Sequence, residues 1–149
     1  MLKGLLRTSD SLVDTVLRIA LAVVFFPHGA QKALGLFGGH GLAATMGFFA
    51  KMGIPPLFAA LAIAAEFLGP IALFFGAFTR IASFGIFVVM ATAVALVHGK
   101  LGFFMNWFGQ RPAGVEGFEY HILALALAFA VTVRGAGPLS VDRSLAGGR

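Results

Sequence analysis

A chain of 149 residues suits one domain, and its composition, 59% hydrophobic and 11% charged, is far more apolar than that of a soluble domain. It predicts a single integral membrane domain over residues 1–149 that contacts the lipid bilayer. The net charge of +5 comes without the clustered Lys, Arg and aromatic residues of a nucleic-acid-binding face, and the lack of cysteine excludes disulfides and thiol chemistry within the chain.

Four apolar stretches are long enough to span, or nearly span, a hydrocarbon core of about 30 Å. We place them at residues 12–34, 56–77, 81–98 and 118–133. This pattern predicts an all-α fold, namely an integral membrane four-helix bundle. We expect Gly76 to end the second helix and Thr79 to cap the third, so these two helices should form a tight antiparallel hairpin.

The first helix carries one polar edge along its length. At about 100° per residue, Asp14, Arg18, His28 and Lys32 fall within an arc of roughly 80°. Asp14 and Arg18 are four residues apart, which favours an ion pair between them. Pro27 is expected to kink the helix and to direct His28 towards the interior of the bundle.

The second helix contains a carboxylate, Glu66, near the middle of an apolar span. Such a charge is costly in lipid unless it is paired or protonated, so Glu66 should face the bundle interior. The candidate partners are cationic or titratable side chains of the other helices: Arg18, His28, Lys32, His98 and His121. We predict Glu66 and His28 as catalytic residues, and a purely structural ion pair at Glu66 is the alternative.

Polar residues also gather where the third helix ends and the fourth begins, at His98, Glu119 and His121. Together with Lys32 they are predicted to bind a ligand. Three interpretations stay open: an unliganded polar cluster, a pocket for a quinone or another small apolar ligand, and a zinc, iron or copper site. No metal ligands are assigned, because Glu119 and His121 are two residues apart and so do not share a helix face.

The two long connections, around residues 42–53 and 101–109, are aromatic and apolar, which predicts segments that lie in the membrane interface. Orientation follows from the basic residues. Seven basic residues lie on the side of the termini and the short hairpin turn: Lys3, Arg7, Arg18, Arg80, Arg134, Arg143 and Arg149. Four lie on the side of the long connections: Lys32, Lys51, Lys100 and Arg111. This bias predicts that both termini are cytoplasmic and that the long connections are on the outer side.

Several of these segments together resemble a known family. The stretches "LRIALAVVFFPHGAQKALG", "GFFAKMGIP", "AAEFLGPIALFFGAFTRIAS", "VHGK" and "GFEYHILALALAFAVTVRGAGPLSVDRSL" are similar to the DoxX family of small bacterial four-helix membrane proteins. The resemblance implies an inner-membrane protein, in some members a subunit of thiosulfate:quinone oxidoreductase or of another membrane redox complex. The recurrent polar positions of the family match Lys32, Glu66, Arg80 and Glu119, and His98 matches the end of its third helix.

Two classes of function follow. In the first, the chain is the membrane subunit of a quinone-linked oxidoreductase and presents a quinone or another electron acceptor at its outer end, where Glu66 and nearby His residues handle protons. Its redox chemistry then comes from a bound cofactor or from partner subunits. In the second, it is a non-catalytic membrane module that stabilises or recruits a partner protein. A transporter is disfavoured, because so small a bundle would need to form a homo-oligomer to enclose a gated path.

Overall fold

The computed structural model describes residues 2–112 and 114–147, within which every regular element is a helix. A short 3-10 turn, His98–Lys100, separates the fifth helix from the sixth. The α-helices are α1 (Leu2–Leu5), α2 (Leu12–Leu34), α3 (Gly41–Lys51), α4 (Pro56–Phe75), α5 (Thr79–Leu96), α6 (Glu119–Arg134) and α7 (Val141–Leu145).

All four predicted spans are helices, which confirms the all-α bundle. The observed ends of α4, α5 and α6 differ from the predicted ends by one or two residues. Three helices, α2, α4 and α5, are long and apolar enough to cross a membrane, whereas α6 has 16 residues. The first connection contains α3, none of whose residues is buried.

The four long helices are arranged around one core, with α4 between α2 and α5 and with α6 packed against both α5 and α2. Successive long helices are antiparallel. One end of the bundle, here called the hairpin end, holds α1, the α4–α5 turn and α7; the opposite end, the loop end, holds both long connections. Buried apolar side chains from all four helices meet between these ends, among them Leu21, Phe25, Leu73, Ile86 and Ala128.

Helices α2 and α4 approach each other closely at Gly29. A Cβ atom at this position would lie only 1.9 Å from the Glu66 carbonyl oxygen. Pro70 lies inside α4 and has no N–H to donate to that carbonyl four residues earlier. The absence of a side chain at Gly29 therefore lets α2 pack directly on the backbone of α4 at the level of Glu66.

The turn between α4 and α5 is capped differently from the sequence prediction. Gly76 ends α4 with φ +67°, as predicted. Thr79, however, does not cap α5; the residue before the helix is Phe78, which has φ +49° and makes no side-chain cap. The carboxylate of Asp142 accepts the N–H groups of Phe78 at 2.7 Å and Thr79 at 2.9 Å. The cap comes from the C-terminal segment because a single carboxylate can accept both N–H groups.

The predicted ion pair between Asp14 and Arg18 is wrong. Asp14 accepts instead from Nε of Arg134 at 2.6 Å. Arg18 is 1% exposed and donates to four backbone carbonyls at the hairpin end: Leu73, Phe74, Ala136 and Leu139. A spacing of four residues favours ion pairs between side chains on an exposed helix face. Asp14 and Arg18 are instead buried against other segments of the chain, and the charged side chain and backbone carbonyls of those segments are their partners.

The basic residues counted on the side of the termini converge at the hairpin end. Arg80 donates to the carbonyls of Arg7, Thr132 and Val133, and so joins α5 to the N-terminal segment and to the end of α6. Arg149 and the side chain of Lys3 lie outside the described residues. The direction of the bundle across a membrane stays a prediction.

Candidate functional site

Of the five candidate partners for Glu66, the structure places Lys32 against it. Lys32 Nζ donates to Glu66 Oε2 across the α2–α4 contact. Glu66 is 1% exposed, while the Lys32 side chain is 34% exposed. The pair therefore reaches from the buried middle of α4 towards the loop end.

His28 does not join this pair. Its side chain is exposed, so the expectation that Pro27 would direct it into the interior is wrong. Helix α2 continues from Leu12 to Leu34 without ending at Pro27. His28 therefore lies on the exposed face of α2 and not on the face that packs against α4. Its predicted catalytic role remains a prediction, without support from its position.

Two histidines from different helix ends stack on one another. The ring centroids of His98 and His121 are 4.1 Å apart, with the rings inclined by 37°. His98 is half-buried, and its Nδ1 lies 2.7 Å from the Glu116 carbonyl oxygen. His121 is 6% exposed, and its Nδ1 has no hydrogen-bond partner among the described residues. The stacked pair therefore links a buried imidazole to a partly exposed one.

Tyr120 is a site residue that the sequence reasoning missed. Its hydroxyl is buried without a hydrogen-bond partner among the described residues. Its ring packs edge-on against that of His121, with centroids 5.7 Å apart. A signal was present, because this is the one tyrosine in a chain with 17 phenylalanines, and a buried hydroxyl usually requires a partner.

Glu119 points elsewhere, since its carboxylate accepts the indole N–H of Trp107 in the second long connection. The structure thus places two polar groups towards the loop end, the Lys32–Glu66 pair and the contacting rings of His98, Tyr120 and His121, which together are here called the polar cluster. Glu119 and His28 are not among them. Within residues 2–112 and 114–147, no group of three His, Cys, Asp or Glu side chains is arranged to hold a metal ion.

The polar cluster combines a buried carboxylate and its cation with a phenol and an imidazole that lack protein partners. A buried polar atom without a partner costs about 1–3 kcal/mol, so Tyr120 Oη and His121 Nδ1 favour occupancy by a water or a ligand oxygen. The phenol and the imidazole can each donate to a carbonyl oxygen or exchange a proton. This combination suits the binding and protonation of a small oxygen-bearing ligand.

Comparison with known proteins agrees with these observations. The DoxX family model matches residues 13–99. A relative from Bacillus subtilis (strain 168) with the name "Putative oxidoreductase CatD" is 29% identical over 117 residues, which cover 78% of this chain and 76% of the relative. No solved structure matches the chain. The match to the family model covers α2, α4 and α5, so it includes the Lys32–Glu66 pair but not α6.

Proposed function

Because the chain belongs to the DoxX family, we propose that this membrane protein is a subunit of a quinone-linked oxidoreductase complex in the bacterial inner membrane, with both termini cytoplasmic. The observations that carry the proposal are the buried carboxylate of Glu66, which is paired with Lys32, and the unpartnered hydroxyl of Tyr120 in the same part of the bundle. The oxidoreductase name of the Bacillus subtilis relative supports the link to redox chemistry.

In this proposal the polar cluster handles protons while a partner subunit supplies electrons. Reduction of a quinone to a quinol consumes two electrons and two protons. The chain has no cysteine, so the electrons are assigned to a partner that holds a redox group. Glu66 is an anion in its pair with Lys32, so it first takes up a proton that enters at the loop end through His98 and then passes it to a quinone oxygen. A second cycle of the same uptake and transfer protonates the other quinone oxygen, while Tyr120 and His121 donate hydrogen bonds to the quinone.

The position of the polar cluster supports its assigned role in proton transfer. Glu66 is deep in the bundle, whereas His98 is half-buried at the end of α5 and stacks on the buried ring of His121. A proton that enters at the loop end therefore meets titratable groups along its way to Glu66. The groups of the hairpin end are not needed for this path.

The test replaces Glu66 by Gln in a strain that lacks the native chain. Glu66→Gln retains the shape and a hydrogen-bond acceptor but cannot release a proton near neutral pH, so quinone reduction per folded chain should be abolished. Glu66→Ala should in addition lose stability, because it also removes the buried side chain and leaves Lys32 without a hydrogen-bond acceptor, at a cost of about 1–3 kcal/mol. Rates are measured in isolated membranes with a short-chain quinone and normalised to folded protein.

A matched control is available at the other end of the molecule. Asp142 is also 1% exposed, and Asp142→Asn makes the same carboxylate-to-amide change away from the polar cluster. The proposal requires normal quinone reduction per folded chain in this variant. If Glu66→Gln and Asp142→Asn lower activity only in proportion to lost folded protein, Glu66 has no role in proton transfer.

A second candidate function is a non-catalytic module that recruits a partner protein. The observation that favours it is the direct pairing of Lys32 with Glu66, because a paired charge fixes the register of two helices without any chemistry. The double variant Lys32→Met/Glu66→Leu separates the candidates, since it removes both charges and retains an apolar contact. If the chain is a recruiting module, the double variant should form a stable complex that still reduces quinone. If the polar cluster is a quinone site, the double variant should be stable but should not reduce quinone.

A further inference from the structure

The second long connection contains a structured segment, residues 102–111, here called the aromatic loop. Arg111 closes it at one end. The Arg111 backbone N–H donates to Asn106 Oδ1 at 3.0 Å, and Asn106 Nδ2 donates to the Arg111 carbonyl at 2.7 Å. The Arg111 guanidinium also donates to the Leu101 carbonyl at 2.9 Å. These bonds hold the two ends of the loop together.

The aromatic loop is also fixed to the start of α6. Three consecutive N–H groups, those of Gly117, Phe118 and Glu119, donate to the carbonyls of Phe104, Gly102 and Phe103 at 2.9–3.1 Å. A Cβ atom at Gly117 would lie 2.4–2.6 Å from those carbonyl oxygens, so the contact requires glycine. The loop carbonyls thus satisfy N–H groups that a helix start leaves free.

This fixed loop displays its aromatic side chains outwards. Phe104 is 69% exposed, Trp107 is 70% exposed and Phe108 is 88% exposed. Their exposure is not a sign of an unstructured segment, because the backbone is bonded on both sides. A loop that is bonded on both sides and has four exposed aromatic side chains, these three and Phe103, is a surface that an apolar or amphipathic partner covers.

The charges and the location of the loop identify that partner. Lys100 and Arg111 are exposed at its two ends, where cations can contact lipid phosphates. The loop follows α5 and precedes α6, so it lies at the level where the bundle leaves the hydrocarbon core. Tryptophan is enriched at this depth, because its ring is apolar and its N–H is polar.

We infer that the aromatic loop is a membrane anchor that inserts Phe104, Trp107 and Phe108 into the headgroup region of a phospholipid bilayer, with Lys100 and Arg111 on lipid phosphates. Trp107 also donates to Glu119, the first residue of α6. The anchor therefore connects the bilayer surface to the helix turn that carries Tyr120 and His121. This inference does not depend on the proposed redox function.

The chain offers a direct probe, because Trp107 is its one tryptophan. The full-length protein is reconstituted into phosphatidylcholine vesicles that contain lipids brominated at carbons near the headgroup or deep in the acyl chain. Shallow bromines should quench the fluorescence more strongly than deep ones, and aqueous iodide should quench it weakly. Interfacial segments lie about 5–10 Å into the headgroup and acyl boundary, which is within reach of the shallow bromines.

Paired variants distinguish the bilayer from other partners. The double variant Phe104→Ser/Phe108→Ser removes two exposed aromatic side chains, so the fold should be retained. Because the loop then inserts less deeply, bromine quenching of Trp107 should fall and iodide quenching should rise. A variant that moves the tryptophan, Trp107→Phe/Phe84→Trp, places it on the exposed face of α5 and should be quenched most by deep bromines. Strong iodide quenching of native Trp107 with no bromine quenching overturns the inference and assigns the loop to an aqueous or protein-facing surface.

Discussion

Gly29→Ala tests whether the α2–α4 contact is as close as the structure shows. The added Cβ would lie 1.9 Å from the Glu66 carbonyl oxygen, where real contacts are at least 3.0 Å, so the helices must separate by about 1.1 Å or more. The obstacle is backbone, which cannot rotate away as a side chain can. Overpacking of this kind costs about 1–3 kcal/mol. The cost rises further when the separation also draws Lys32 away from Glu66.

The assay is equilibrium unfolding in mixed detergent micelles, followed by helical circular dichroism. Gly69→Ala is the matched control, because it lies in α4 and its added Cβ would be 3.7 Å from the nearest atom, the Ala82 carbonyl oxygen, which is an ordinary contact. Gly69→Ala should be neutral or gain up to about 1 kcal/mol from helix propensity. Equal unfolding midpoints for the two variants would refute the close contact at Gly29.

Three further predictions concern the hairpin end and the orientation. Asp142→Ala should lower stability by about 0.5–2 kcal/mol in the same unfolding assay, because the N–H groups that start α5 lose their acceptor; an unchanged midpoint would exclude the cap. Arg18→Lys should also lower the midpoint, since an ammonium group has three donors and no planar fork to serve four carbonyls. Reporter fusions after Gly53 and Gly114 should be extracytoplasmic and one after Arg149 cytoplasmic, and the reverse pattern would contradict the charge bias.

The sequence predicted the bundle well because its signals are local. The first span was predicted at residues 12–34, which is where α2 lies, since a long apolar run ends at a glycine in the left-handed conformation, Gly35. Pro56 opens α4 and Gly76 ends it for similar local reasons. Run length and turn residues therefore suffice to find the helices, whatever lies against them.

The partners of the polar side chains could not be predicted in the same way. Asp142 caps a helix that begins 63 residues earlier in the chain, and Asp14 pairs with a residue 120 positions away. Helical spacing favoured Arg18 for Asp14 because it describes only neighbours on one helix. For Glu66, burial required a partner, but only the packing of α2 on α4 selects Lys32 over the other candidates.

Each end of the bundle buries two side-chain atoms that have no hydrogen-bond partner among the described residues, but the two ends differ in the chemistry of those side chains, and this difference supports a functional site at the loop end. At the hairpin end, these atoms are the hydroxyls of Thr15 and Thr79, while Arg18 and Asp142 are hydrogen-bonded to backbone groups. At the loop end, these atoms belong to the phenol of Tyr120 and the imidazole of His121, two side chains that can exchange protons. A bundle that needed only stability would gain from phenylalanine and leucine at Tyr120 and His121, because apolar side chains carry no desolvation penalty. The retention of both polar groups is therefore explained more simply by a ligand or a proton that they serve.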